Sequence, residues 1–182
     1  MSKILTYSQM KKAVRAYHDL GKKIVLTQGT YDLLHVGHGR YLEEAKKKGD
    51  VLIVGVDSDA KVKKRKGPQR PIVPEDERME MVSYLSSVDH VVLKPLKTEK
   101  WSLIKLVRPD VLVATKATYD KKELAQLKNF CGEVKVLEPK ATTSTSAKIR
   151  LVQLGMAEEF SNKLKKKLLK QIQDMIEEMK VN

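Results

Sequence analysis

The sequence predicts an α/β protein built on a doubly wound, parallel, five-stranded sheet. Three observations carry that prediction. Apolar strand-like runs alternate with segments of helical period, the connections between them are short, and runs such as Val51-Leu52-Ile53-Val54 are apolar at every position. Continuous apolarity is what a strand needs when helices cover both faces of a parallel sheet. In that architecture ligands bind beyond the carboxyl ends of the strands, at the point where the winding reverses.

The elements follow in order. A leading helix is expected over Tyr7 to Leu20. Strand one, Lys23 to Gln28, runs into Gly29, and the next helix spans Gly39 to Lys48, with Tyr41, Leu42 and Ala45 at helical spacing. Strand two is Val51 to Asp57, followed by a helix over Pro74 to Ser86 and strand three over Val88 to Leu93. Helices at Trp101 to Val107 and Lys121 to Phe130 flank strand four, Asp110 to Thr115. Strand five is Glu133 to Leu137, and a helix over Ser144 to Leu154 closes the domain.

After Gly155 the chain reads as a separate amphipathic helix. Phe160, Leu164, Leu168, Ile172, Met175, Ile176 and Met179 recur at three- and four-residue spacing on one face. That stripe is expected to pack across its own domain or on a dimer partner, with a membrane surface or another protein as the alternative. Heptad periodicity is too short to prefer a coiled coil. The expected organisation is one domain over residues 1–154 and a helical extension over 155–182.

Composition narrows the function classes. A chain of 182 residues with 41% apolar content suits one domain with a full core. Its single cysteine, Cys131, excludes an internal disulfide framework. No apolar run approaches the ~20 residues that cross a bilayer, and Met1-Ser2-Lys3-Ile4 lacks a signal-peptide apolar region. A cytoplasmic location with no membrane partner is expected. The net charge of +13 makes nucleic acid the rival partner, but the chain has only nine aromatics and few lie among its lysine runs. A noncatalytic nucleic-acid-binding module is therefore the reading from a different class. The cluster Lys163, Lys165, Lys166, Lys167 and Lys170 reads as a solvated face of the C-terminal helix.

The chemistry concentrates in Gly29-Thr30-Tyr31-Asp32-Leu33-Leu34-His35-Val36-Gly37-His38, which places two histidines around a glycine where a strand ends and a helix begins. Unpaired N–H groups and the positive end of the helix dipole favour an anion there, and Gly37 brings no side chain that would hold a phosphate away. Imidazoles add directional donors. The chemistry this suggests is nucleotidyl transfer, with His35 and His38 on the phosphate oxygens of a nucleoside triphosphate. An acceptor that already carries a phosphate is ionised at neutral pH, so alignment and charge neutralisation suffice and pyrophosphate leaves. The alternatives are a metal site formed by His35, His38 and Asp32, and turn-forming roles for Thr30 and Asp32. The metal reading lacks a third strong ligand, because His18 and His90 lie in other elements.

Thr30-Tyr31-Asp32 followed by His-x-Gly-His resembles the signature of the cytidylyltransferase-like nucleotidyltransferases. Gly49-Asp50-Val51 through Asp59 is similar to that family's second strand. Lys66-Gly67-Pro68-Gln69-Arg70-Pro71, with Glu77-Arg78, resembles its substrate loop and following helix. Ser144-Thr145-Ser146 resembles the hydroxyl run that opens a helix closing over the nucleotide phosphates, a role hydroxyl N-caps also suit physically. The leading helix, Arg40-Tyr41-Leu42 and the Lys-Gly-Pro-x-Arg-Pro loop look most like the adenylyltransferase domain of ADP-heptose synthases. Glycerol-3-phosphate cytidylyltransferases, other alcohol-phosphate cytidylyltransferases and FMN adenylyltransferases are relatives.

The resemblance implies a Rossmann-like nucleotidyltransferase fold and transfer of AMP or CMP to a phosphorylated small molecule, a heptose 1-phosphate type of sugar phosphate first among them. It implies catalytic roles for His35, His38, Lys66 and Arg78. Nucleotide binding falls to Gly29, Thr30, Tyr31, Asp32, Gly37, Ser144, Thr145 and Ser146, and substrate binding to Arg70, Asp57 and Lys66. Arginine suits phosphate because it offers a bidentate fork. Lys61, Lys63, Lys64, Arg65 and Lys66 occupy the place where the family sets cations against phosphate. Asp57 and Asp59 bind the metal-bound triphosphate indirectly or cap the next turn. Magnesium is expected with ATP or CTP, with no protein metal centre, and a homodimer is expected because relatives are commonly dimers. One departure stands out. Val113-Ala114-Thr115-Lys116-Ala117-Thr118-Tyr119 replaces the Val-Lys-Gly-Gly-Asp-Tyr usual near the base, and Lys148 replaces an aliphatic residue in the closing helix.

Overall fold

The computed structural model describes residues 2–115, 118–138 and 145–181. The chain forms two compact units, Met1–Thr142 and Thr143–Asn182. In the first, five parallel strands form one sheet: β1 (Ile24–Gly29), β2 (Val51–Asp57), β3 (His90–Lys94), β4 (Val111–Ala114) and β5 (Glu133–Val136). Their order is β3-β2-β1-β4-β5, so the winding reverses beside β1. The register pairs Leu26 with Ile53 on one side and with Leu112 on the other. The doubly wound parallel sheet predicted from the apolar runs is what forms.

Alternation along the strands divides the core in two. Ile24, Leu26 and Ile53 point to one face, where Met10 and Val14 of α1 (Tyr7–Asp19), Leu103, Ile104 and Val107 of α5 (Ser102–Val107) and Leu127 of α6 (Lys121–Leu127) bury against them. Val25, Leu52, Val54 and Val56 point to the other. There Leu42 and Ala45 of α2 (Val36–Lys46) and Val82 of α4 (Glu75–Ser83) cover them. Each fully buried aliphatic side chain contributes about 1.5–3 kcal/mol of transfer free energy. The entry to β1 is fixed by carboxylates: Asp50 accepts from the Lys23 N–H at 2.8 Å and Asp110 from the Ile24 N–H at 2.7 Å. At Gly49 a Cβ would lie 2.6 Å from the Lys23 carbonyl oxygen, so the turn into β2 excludes a side chain.

Three elements differ from expectation. The lysine run after β2 forms a helix, α3 (Asp59–Lys66), that hydropathy alone does not reveal. Ser58 caps it through the Lys61 N–H at 3.3 Å, Asp59 sits in its first turn and four basic residues in its last, which matches the helix dipole at both ends. Helix α2 begins at Val36 rather than Gly39, because His35 itself is the N-cap. In the second unit, α7 (Thr145–Val181) is one 37-residue helix that passes through Gly155 without a break. An interior glycine costs about 1 kcal/mol relative to alanine, and the helix-favouring residues on either side outweigh it.

Candidate active site

The turn after β1 carries the two histidines as a capping box. His35, in extended conformation, accepts the Gly37 N–H on Nδ1 at 3.1 Å, and His38 Nδ1 accepts the His35 N–H at 3.3 Å. An Nδ1 that accepts cannot carry the proton, so each neutral ring holds its hydrogen on Nε2 as a donor. The rings lie 4.0 Å apart between centroids at 34°. Burial, then His35 and Lys66, push the His38 pKa down to about 4, with Asp32 opposing, so the ring is neutral at pH 7.

The same capping box uses the backbone amides expected to face a phosphate. Gly37 gives its N–H to His35 Nδ1, while His38 and Gly39 give theirs to the His35 carbonyl at 2.9 and 3.4 Å. Gly37 is buried and serves the cap. Those amides are committed within the turn. Tyr31 and Leu33 bend this loop through left-handed φ values of 54° and 48°. The Tyr31 ring is buried edge-on against His38, and a Cβ at Gly29 would lie 3.0 Å from it.

Two carboxylates order the surroundings. Asp32 accepts a hydrogen bond from Arg70 Nε at 2.9 Å, lies in ion-pair contact with Nη2 at 2.6 Å, and also accepts the N–H groups of Ile72 and Val73 at 3.1 and 3.0 Å. Burial raises its pKa, but the bonds from Val73, Ile72 and Arg70 outweigh burial and hold it below the usual carboxylate value. Asp32 thus fastens the Lys66–Pro71 loop to the end of β1. Asp57, only 1% exposed, receives Arg65 at 2.9 Å and Lys94 at 3.0 Å, with Lys61 at 4.0 Å. Arg65 in turn donates to the Thr30 hydroxyl at 2.7 Å. Asp57 is a buried counter-ion for these cations, and Ser58 caps α3.

Arg78 is turned inward. Its guanidinium is 1% exposed and donates to the carbonyls of Val73, Thr30 and Asp57 and to Asp59 Oδ1, the last at 2.7 Å. Its N–H groups face protein acceptors, so it ties β1, β2 and the substrate loop together and presents no fork to a phosphate. Lys66 behaves otherwise. It is exposed, and partial desolvation, Arg65 and Arg70 all depress its pKa, with Asp32 and Asp57 opposing. Arg65 and Arg70 thus disfavour the charge on Lys66, a repulsion that an anion beside the three cations would offset.

Sequence reasoning missed Lys94, Gln28 and the full part played by Arg65. An aspartate ending an all-apolar strand was the available signal, because such a carboxylate needs buried cations. At the end of β1, Gln28 Nε2 donates to the Tyr119 hydroxyl at 3.2 Å, and burial raises the Tyr119 pKa. Thr27 bonds the Tyr41 hydroxyl at 2.8 Å. Lys116, Ala117 and Ser144 lie outside the described residues. Thr145 and Ser146 open α7 in the second unit.

A parallel sheet whose switch-point strand ends in two imidazoles beside lysine and arginine is an arrangement suited to holding phosphate. The family described as cytidylyltransferase-like matches residues 26–179, and the chain belongs to it. The bifunctional protein HldE of Aliarcobacter butzleri is 43% identical over 151 residues, 82% of this chain and 31% of that protein. The HldE of Helicobacter pylori is 41% identical over 147 residues, 79% and 30% respectively. The chain thus spans about a third of the length of the curated relatives it matches. Among solved structures, a lipopolysaccharide core biosynthesis protein from Thermoplasma volcanium is similar with a TM-score of 0.57 at 29% identity, covering 65% of this chain and 98% of that one. Pantoate-beta-alanine ligase from Francisella tularensis shares the fold, with a TM-score of 0.55 at 16% identity over 75% of this chain and 67% of that one.

Proposed function

We propose that the protein transfers AMP from ATP, or CMP from CTP, to a sugar phosphate of the heptose 1-phosphate type. The observation that carries the reading is the pair of Nε2–H donors fixed by the histidine capping box beside Lys66 and Arg70. Identity above 40% to the HldE proteins supports the sugar-phosphate acceptor. A phosphate oxygen of the acceptor forms a bond to the α-phosphorus as the bond from that phosphorus to the β-phosphate oxygen breaks. Pyrophosphate leaves with the electron pair. His35 and His38 donate to the phosphate oxygens on which charge develops, and Lys66 and Arg70 neutralise the triphosphate and acceptor. Gly29, Thr30, Tyr31 and Asp32 shape the nucleotide loop.

Magnesium fits this site as an ion carried on the triphosphate. Asp32, Asp57 and Asp59 are engaged by arginine, lysine and backbone donors, and no cluster of three metal-ligating side chains occurs among the described residues. Phosphate oxygens and water supply the hard ligands it needs. The protein acts in the cytoplasm as a homodimer; no described helix is long and apolar enough to cross a membrane.

Pyrophosphate release tests the reaction, with ATP or CTP, magnesium, and heptose 1-phosphate, glycerol 3-phosphate or FMN as acceptor. Release with one triphosphate and heptose 1-phosphate, abolished in His38→Ala, is the expected result. Release with glycerol 3-phosphate or FMN alone would replace the acceptor, and release with no pair would overturn the reading.

A further inference from the structure

We propose that α7 docks on an anionic lipid bilayer, lying in the plane of its surface through residues 160–175. Phe160, Leu164, Leu168, Ile172 and Met175 lie on one side of α7, and each is 47–70% exposed. At 100° per residue they fall within an arc of about 120°, which runs about 22 Å along the helix. Apolar exposure of that extent along one helix face marks an interaction surface. No described helix is long and apolar enough to cross a membrane, so α7 meets a bilayer by lying on it. The amphipathic spacing leaves that occupant open, and the charges select it.

Residues 160–173 include Lys163, Lys165, Lys166, Lys167 and Lys170 and no acid, and all five lysines are exposed. Lys165 and Lys167 flank the apolar arc on opposite sides, each about 80° from its centre. At that angle the alkyl stem of a lysine lies along the acyl region and its ammonium reaches the headgroups. Lys163, Lys166 and Lys170 lie beyond them on the polar side. A lysine-rich face opposite one of phenylalanine and leucine is what an interfacial helix requires, and phospholipid phosphates supply the complementary charge. Lys163 also contacts Glu159 at 2.6 Å, but both side chains are well exposed and the lysine exchanges partners at little cost. A second copy of the chain fits this segment less well. Both edges of the arc carry lysine over residues 160–173, so the same segment laid alongside in either direction sets lysine against lysine, and Glu158 and Glu159 lie outside it. Nucleic acid would answer the same charge, but of the five exposed apolar side chains only Phe160 can stack on a base.

The test floats the full chain with vesicles of about one part phosphatidylglycerol to three of phosphatidylcholine, and with vesicles of phosphatidylcholine alone. The wild-type chain is expected to bind the mixed vesicles, more weakly as salt is added, and to bind the neutral ones about tenfold or more less tightly. K165E/K167E removes the headgroup contacts and L164S/L168S the apolar insertion. Each should weaken binding to the mixed vesicles about tenfold or more, with helix content by circular dichroism and the melting temperature of the N-terminal unit unchanged. None of these readouts depends on the acceptor or on turnover. Absence of binding to the mixed vesicles up to about 1 mM lipid overturns the proposal, as does equal binding to both kinds. Binding that survives L164S/L168S is that of a polycation held by charge alone and overturns it too. So does a chain that ignores vesicles and instead binds single-stranded RNA, or one that ignores them and loses a dimer in L164S/L168S.

Discussion

Replacing Arg78 with methionine should cost the N-terminal unit most of its stability while telling whether this arginine supports the site or touches substrate. Methionine keeps much of the volume and removes all donors. Three carbonyls, of Thr30, Val73 and Asp57, and the Asp59 carboxylate then lose their partner in a region where the guanidinium is 1% exposed. Each stranded buried acceptor costs about 1–3 kcal/mol. Relief from burying the guanidinium offsets part of that, leaving about 3–5 kcal/mol, the range for removing one partner of a buried charged network. Native domains have only about 5–15 kcal/mol in total. Urea unfolding followed by the fluorescence of Trp101, the chain's single tryptophan, measures the loss, and the nucleotide dissociation constant is taken below the transition. Arg78→Lys should not rescue, because an ammonium cannot span the four acceptors. A loss under about 1 kcal/mol together with a large fall in nucleotide affinity would refute the strut and restore the phosphate contact.

Further outcomes follow from the same geometry. The pKa of His38 should be about 4 in the free protein by NMR and should rise when a triphosphate binds; a free value near 6.5 would remove the neutral-donor argument. Because the folded value lies below the unfolded one, the unfolded chain binds the extra proton between about pH 6.5 and 4. Stability therefore holds above that window and falls through it on acidification, by up to about 3 kcal/mol. Lys66→Met should slow turnover tenfold or more yet leave the melting temperature unchanged or higher, because it removes an exposed charge repelled by Arg65 and Arg70; a clear loss of stability would contradict this. Gly49→Ala should destabilise by about 1–3 kcal/mol through the clash with the Lys23 carbonyl and leave kcat unaltered, since the turn lies at the opposite end of the strands from the histidines.

The sheet was readable because its strands bury both faces and so stay apolar throughout. Val51 to Asp57 is β2 to the residue. The turn carrying His35 and His38 was readable for a different reason: few sequences set two imidazoles and a glycine between a strand and a helix. Roles that depend on where a charge ends up were not. Arg78 and Lys66 are both cations in segments similar to the family's substrate loop and the helix after it, yet one is enclosed by carbonyls and the other faces its fellow cations. Asp57 gave half of its signal, since an acid ending an apolar strand demands cations without saying which. Helix α3 was hidden because its stability lies in capping and dipole complementarity, and only Val62 is buried.

The histidine capping box joins two properties that most enzymes keep apart. The Nδ1 atoms that hold the first turn of α2 together also keep the hydrogen of a neutral ring on Nε2, so the fold selects the tautomer. Protonating His38 at Nδ1 would take away its acceptor and loosen the His35 amide in the same event. Acid would then release the loop rather than leave a misprotonated ring in place. Serine or aspartate, better helix caps by propensity, would strengthen the turn and carry no second nitrogen beyond it. Selection for stability and selection for chemistry act here on the same two nitrogens, and neither can be improved without passing through the other.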